Sequence, residues 1–182
     1  MEVSMAARRP RWVAGGLAAA GLAVLVLVPT ISRAQEKKDK LDLDKIPKAV
    51  MDALKAKFPK PEITKWTKET EAGNVIYDIE FKQDGRNCEA DIKEDGVIFN
   101  FEKELAAKDL PAAVTRAVER KYPKATLKEI MEITEVKDKV EKLEGYEIVL
   151  DTADKKEVEV TVAPDGKILE DSGAPKEEAK KK

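Results

Sequence analysis

Tyr77-Asp78-Ile79-Glu80-Phe81-Lys82-Gln83-Asp84-Gly85-Arg86-Asn87-Cys88-Glu89-Ala90-Asp91-Ile92 is the stretch that decides the fold. Tyr77, Ile79 and Phe81 alternate with Asp78, Glu80 and Lys82, and Cys88, Ala90 and Ile92 alternate with Asn87, Glu89 and Asp91. A period of two with one apolar side is the pattern of an antiparallel sheet covered on a single face. Asp84-Gly85 is a two-residue hairpin signal, because a type I′ turn needs positive φ at both central positions. That loop sets the register. Phe81 faces Cys88, Ile79 faces Ala90 and Tyr77 faces Ile92 on the apolar side. On the other side Glu80 faces Glu89 and Asp78 faces Asp91. A slip of one residue would mix apolar and charged side chains on both faces, so the register is well specified.

Outward from the hairpin, the chain repeats itself. Ile46-Pro47-Lys48-Ala49-Val50 reads again as Leu110-Pro111-Ala112-Ala113-Val114, 64 positions later. Lys57-Phe58-Pro59-Lys60 recurs as Lys121-Tyr122-Pro123-Lys124, and Tyr77 to Phe81 as Tyr146 to Leu150. Asp95-Gly96, read as a second two-residue hairpin signal, recurs as Asp165-Gly166. The spacing grows to 69 and then 70, which predicts short insertions in the turns of the second copy.

Each copy opens with a helix. Pro47 and Pro111 suit its first turn, where a missing N–H costs nothing. Val50, Ala53, Leu54 and Phe58 form one apolar stripe, repeated by Val114, Ala117, Val118 and Tyr122. Pro59 and Pro123 end the helices, since the residue before proline avoids the α region. Strands follow, the first of each copy near 63–70 and 127–136, with imperfect alternation. Val158, Val160 and Val162 are the apolar face late in the second copy. The expected fold is α+β: two tandem repeats, each one helix packed on a four-stranded antiparallel sheet. The boundaries read as a signal segment over 1–34, a linker over 35–44, repeats over 45–105 and 106–171, and a charged tail over 172–182.

The Pro-x-x-Val helix, its aromatic-Pro ending, the Tyr-x-Ile strand and the Asp-Gly turn resemble the PepSY-like, beta-lactamase-inhibitor-like family. The resemblance spans about residues 45–171 and rests on short structural motifs. It implies a helix on a four-stranded antiparallel sheet, often in tandem, in an exported protein that binds rather than catalyses. It brings no catalytic residue with it.

Composition narrows the function further. The 182 residues include no His, which removes the commonest general base and zinc ligand together. The one cysteine, Cys88, allows neither an internal disulfide nor a thiolate cage. Its place on the apolar strand face makes it a small core residue rather than a nucleophile. Lys and Arg number 34 against 36 acids, and without residues 1–34 the net charge is −5. Such a chain suits nucleic acid poorly. No Gly-rich phosphate loop or serine nucleophile elbow occurs, so an enzyme is not expected.

Arg8-Arg9-Pro10-Arg11, the apolar run Trp12 to Val28, and Ser32-Arg33-Ala34 follow the order of a secretory signal. The expected place is the periplasm or the exterior after cleavage. A retained membrane anchor is the alternative, because the apolar run is long for such a signal and short for a span.

The opposed carboxylates of Asp78, Glu80, Glu89 and Asp91 are the candidate partner-binding site. Trp66 joins them as the one tryptophan after the signal segment, although a core position is its commoner role. Like charges directly opposite in a sheet are destabilising, so this square asks for a compensating group. Lys65 and Lys93 are near enough in sequence to supply it. The second copy has Val149 facing Glu159 and Glu147 facing Thr161 instead.

The function read from this is a non-catalytic module holding a protein or peptide of the cell envelope through a sheet face or edge, with inhibition of the partner as one form. The alternative is an envelope protein that takes a metal ion on the acidic face, since oxygen ligands suit calcium. No cofactor and no dedicated metal ligand set is expected. Intact mass of the protein recovered from the envelope should begin at Gln35; full-length chain in the membrane fraction would favour the anchor.

Overall fold

The computed structural model describes residues 41–71 and 73–173. The signal segment, most of the linker and residues 174–182 of the tail lie outside them.

A 3-10 turn at Leu43–Lys45 leads into helix α1, Lys48–Lys57, and then strands β1 Glu62–Glu71, β2 Asn74–Gln83, β3 Arg86–Lys93 and β4 Ile98–Glu104. The same series follows again: a 3-10 turn at Ala107–Asp109, α2 Ala112–Lys121, β5 Thr126–Lys137, β6 Val140–Asp151, β7 Glu157–Val162 and β8 Ile168–Asp171. Pro47 and Pro111 sit one residue before the helices, not in their first turns, with ψ of 145° and 139°. Proline supplies the helical φ there while its extended ψ keeps it out of the helix, and its missing N–H is still no loss.

The strands form one open antiparallel sheet in the order β1 to β8. This corrects the expectation of two separate four-stranded sheets. Asn100 to Glu104 of β4 pair with Glu135 to Met131 of β5. The unpaired backbone groups that β4 and β5 would each expose as edge strands are satisfied by one another. The helix side still carries two apolar clusters. Val50 and Leu54 of α1, with Phe58 just past its end, pack on Tyr77, Ile79, Phe81, Ala90 and Ile92. Val114, Ala117 and Val118 of α2 pack on Tyr146, Ile148, Leu150, Val158 and Val160. Full burial of each such aliphatic side chain stabilises by roughly 1.5–3 kcal/mol.

The residues that lengthen the second copy lie largely in strands. β5 and β6 are 12 residues each, against 10 for β1 and β2. Their hairpin closes on Asp138 and Lys139, at φ 52° and 64°. It reaches the first helix: Val136 packs on the α1 cluster and Lys57 forms an ion pair with Glu141.

Asp84-Gly85 is the two-residue turn read from sequence, with φ of 51° and 79°. Asp95-Gly96 is not. Of those two only Gly96 has positive φ, at 90°, while the Gly96 N–H bonds back to the Lys93 carbonyl and the Lys93 N–H to the Val97 carbonyl. This is a three-residue loop with a left-handed glycine last, and Asp95 contributes a side-chain bond from the Val97 N–H rather than a turn conformation. The loop at Asp165-Gly166 repeats it bond for bond.

These two glycines also touch the helices. A Cβ on Gly96 would lie 2.8 Å from the Ala49 carbonyl oxygen, and one on Gly166 would lie 2.7 Å from that of Ala113. A Cβ on Gly85, also at positive φ, would meet nothing within 4 Å. Gly85→Ala should therefore cost only the backbone penalty, about 1 kcal/mol, and Gly96→Ala or Gly166→Ala on the order of 2–3 kcal/mol. Equal losses in chemical denaturation would show that the helix approach does not matter.

Candidate functional site

Turn chemistry puts the acids on one face. With the hairpin closed at Asp84-Gly85, Phe81, Ile79 and Tyr77 pair with Cys88, Ala90 and Ile92 against α1. Glu80 then stands opposite Glu89, and Asp78 opposite Asp91, on the face turned away from the helices. This is the register read from the sequence. In the second copy Val149 pairs with Glu159 and Glu147 with Thr161, also as read.

The rows run further than the hairpin. Glu89 also pairs with Glu102 of β4, and Asp91 with Asn100. Two cross-strand rows result. One runs Lys65, Glu80, Glu89, Glu102; the other runs Thr67, Asp78, Asp91, Asn100, Glu135. Lys65 Nζ lies 2.8 Å from Glu80 Oε1 and caps the first row. One oxygen each from Asp78, Glu89 and Asp91 lie within 4.8 Å of one another, and all three residues are half-buried. Asn100 and Glu102 are only 6% and 3% exposed. Asn100 donates from Nδ2 to Asp91 Oδ2 at 3.2 Å, while its Oδ1 is buried without a hydrogen-bond partner. Asn100 and Glu102 were missed as site residues although the Asp95-Gly96 signal carried them: a two-residue turn there sets Asp91 opposite Asn100 and Glu89 opposite Glu102, and the observed three-residue loop keeps those pairs because a bulge between Asp91 and Ile92 restores the register.

Trp66 is not brought together with the acids. Ile63 pairs with Phe81 and Lys65 with Glu80, which leaves Thr64 as an extra residue. That bulge shifts the alternation, so Trp66 pairs with Ile79 and packs on the α1 cluster, its ring 6.2 Å from that of Tyr77. The imperfect alternation of the first strand has this cause. Lys93, offered as a neutralising group, has its Nζ 6.0 Å from the Phe99 ring centroid. Cys88 is buried in the α1 cluster, and burial pushes its thiol pKa up, away from nucleophilic use.

A protein-family model described as "Putative beta-lactamase-inhibitor-like, PepSY-like" matches the chain twice, over residues 33–100 and 76–170. Among solved structures, a DUF2874 family protein from Bacteroides uniformis is 16% identical, with a TM-score of 0.55, covering 69% of this chain and 87% of its own. A "putative periplasmic" protein from Bacteroides eggerthii is 17% identical, with a TM-score of 0.56, covering 69% and 86%. A BLIP-like protein from Bacteroides fragilis is 22% identical, with a TM-score of 0.48, covering 68% and 82%. At such identities the first two likenesses speak for the fold alone. No curated protein matches the chain.

Glu89 has a like charge on both flanks, Glu80 and Glu102. Glu89→Gln should stabilise the protein in chelator and low salt by some tenths of a kcal/mol, up to about 1, with the gain shrinking as salt is added. A loss of stability in urea melts at every salt concentration would mean that Glu89 is held by cations of the protein itself.

Proposed function

The chain belongs to the PepSY-like, beta-lactamase-inhibitor-like family, and from that premise we propose that it is an exported, non-catalytic module holding a protein or peptide with basic side chains. The observation that carries this is the pair of acidic rows across β2, β3 and β4. These are interior strands, so the carboxylates stand on a hydrogen-bonded frame and their spacing is set before a partner arrives. A preset spacing reduces the ordering cost of binding.

Of the two docking modes open to a sheet, the face is better suited than the edges. Edge strand β1 carries Lys65, Lys68, Glu69 and Glu71, and β8 has four residues. Charged or very short edge strands resist the addition of another strand. Asp78, Glu80, Glu89 and Asp91 are therefore the proposed contact residues; Trp66, on the opposite face, is left out. Export rests on the order of charges and apolar residues in 1–34, supported by the description of the Bacteroides eggerthii neighbour as periplasmic. Among the described residues no helix is long and apolar enough to cross a membrane. The non-catalytic reading is supported by a chain without His and by a buried thiol of raised pKa. An inhibitory role is the narrower form of the same proposal.

Fluorescence anisotropy with lysine- and arginine-rich peptides, and with neutral and acidic ones, tests this. Basic peptides should bind with an affinity that falls as salt rises, and Asp78→Asn with Glu80→Gln should weaken them about fivefold or more. Equal binding of acidic and basic peptides, or an unchanged affinity in the folded double variant, would overturn it.

A further inference from the structure

The sequence holds three Asp-Gly pairs, Asp84-Gly85, Asp95-Gly96 and Asp165-Gly166. In such a pair the glycine nitrogen can reach the side-chain carboxyl of the aspartate, because no Cβ crowds it. The fold treats the three pairs differently.

In the β3–β4 loop both reacting groups are occupied. The Gly96 N–H donates to the Lys93 carbonyl at 2.8 Å, and Asp95 Oδ1 accepts from the Val97 N–H at 3.1 Å. The β7–β8 loop does the same. The Gly166 N–H donates to the Ala163 carbonyl at 2.8 Å, and Asp165 Oδ1 accepts from the Lys167 N–H at 2.9 Å. Each of these glycines is also seated against a helix carbonyl, that of Ala49 or Ala113. The β2–β3 tip has none of these restraints. Among the described residues none accepts from the Gly85 N–H. Asp84 and Gly85 are both exposed, and Gly85 has open space where a Cβ would stand. The Asp84 carboxylate is met by the side-chain amide of Gln83, at 3.1 Å.

We propose that Asp84-Gly85 is a site of spontaneous isoaspartate formation, and that the fold shields the other two pairs from the same reaction. The Gly85 nitrogen attacks Asp84 Cγ. A new N–C bond closes a five-membered succinimide, and the carboxyl oxygen leaves with two protons as water. Water then adds to the Asp84 main-chain carbonyl and breaks its bond to the Gly85 nitrogen. The chain now runs through Cβ and Cγ, and the free carboxylate stands on Cα. Water lost equals water gained, so the mass is unchanged and no oxidant or reductant takes part. The attack requires the turn to open. At the tip this gives up the terminal pair Gln83–Arg86. In the other loops it also breaks the bonds named above and lifts a glycine off a helix. Exposed tips with few contacts open most readily.

The product places one extra main-chain carbon inside a two-residue loop. A type I′ turn joins β2 to β3 by matching their twist, and the lengthened loop loses that match. The Gln83–Arg86 pair is lost first, while Phe81–Cys88 is kept by its burial against α1. The modified chain is therefore less stable, and it loosens from the turn end of the acidic rows. The inference concerns the turn alone and does not depend on what the acidic face binds.

The experiment ages the purified chain for several weeks at neutral pH and body temperature, folded and in concentrated urea. Peptide mapping then separates isoaspartate from aspartate at each of the three pairs. In the folded chain Asp84 should isomerise at least about fivefold faster than Asp95 or Asp165, and in urea the three rates should agree within about twofold. The isoaspartate-containing fraction should unfold at lower urea than the unmodified chain. Asparagine closes the same ring with loss of ammonia and a gain in mass, so Asp84→Asn, Asp95→Asn and Asp165→Asn give a faster reading of the same order. Equal rates at the three positions in the folded chain would overturn the proposal. So would isoaspartate that forms at all three in urea and not at Asp84 when folded. If the wild type proves too slow to read, the asparagine variants decide.

Discussion

The backbone hydrogen bonds between β4 and β5 join Asn100 to Glu104 with Glu135 to Met131, and the character of the acidic face depends on them. As an edge strand, β4 would hold Asn100 and Glu102 at the rim, open to water. As an interior strand it holds them between β3 and β5, with Ile133 directly beside Glu102. Met131 and Ile133 are buried on this face, outside both helix-side clusters. The pairing therefore turns a row of surface acids into a partly desolvated one, where charge interactions are stronger and counter-charges matter more.

The helix side is organised by a different contact, made twice. Each helix begins just after a proline and lays its first-turn carbonyl on a turn glycine, Ala49 on Gly96 and Ala113 on Gly166. The left-handed φ and the close approach both exclude a side chain there. The helix N-terminus and the β3–β4 or β7–β8 turn thus fix one another, and the apolar stripe follows onto the strands behind. The long β5–β6 hairpin adds a tie of its own, since Val136 and Glu141 reach the α1 cluster and Lys57. The first helix is therefore held from both copies of the repeat.

The two faces divide the work physically. The helix face holds most of the apolar burial, including Trp66 and Cys88, while the other face carries the acidic rows beside the buried Met131 and Ile133. Opposed carboxylates are tolerable on β2 to β4 because the apolar burial behind them is large and Lys65 offsets part of their repulsion at the end of one row.

Much of this was legible in the residues alone. The alternation of Tyr77 to Ile92 and the Asp84-Gly85 turn determine the β2–β3 register, and with it the pairs Glu80–Glu89 and Asp78–Asp91, because a period of two leaves one register with a clean apolar face. The proline-framed stripes at Val50 and Val114 determine the helices for the same kind of reason. The tertiary structure alone decided three things. Strand pairing between β4 and β5 is set by backbone groups that every residue shares, so no side-chain pattern marks whether two sheets join. The bulge at Thr64 reverses the face of Trp66, and a single inserted residue leaves only a broken alternation to announce it. The burial of Asn100 is the third: the Asp95-Gly96 signal sets it opposite Asp91 by count alone, but only the pairing of β4 with β5 leaves it 6% exposed, because burial depends on the strand beyond and not on the residue's own rung.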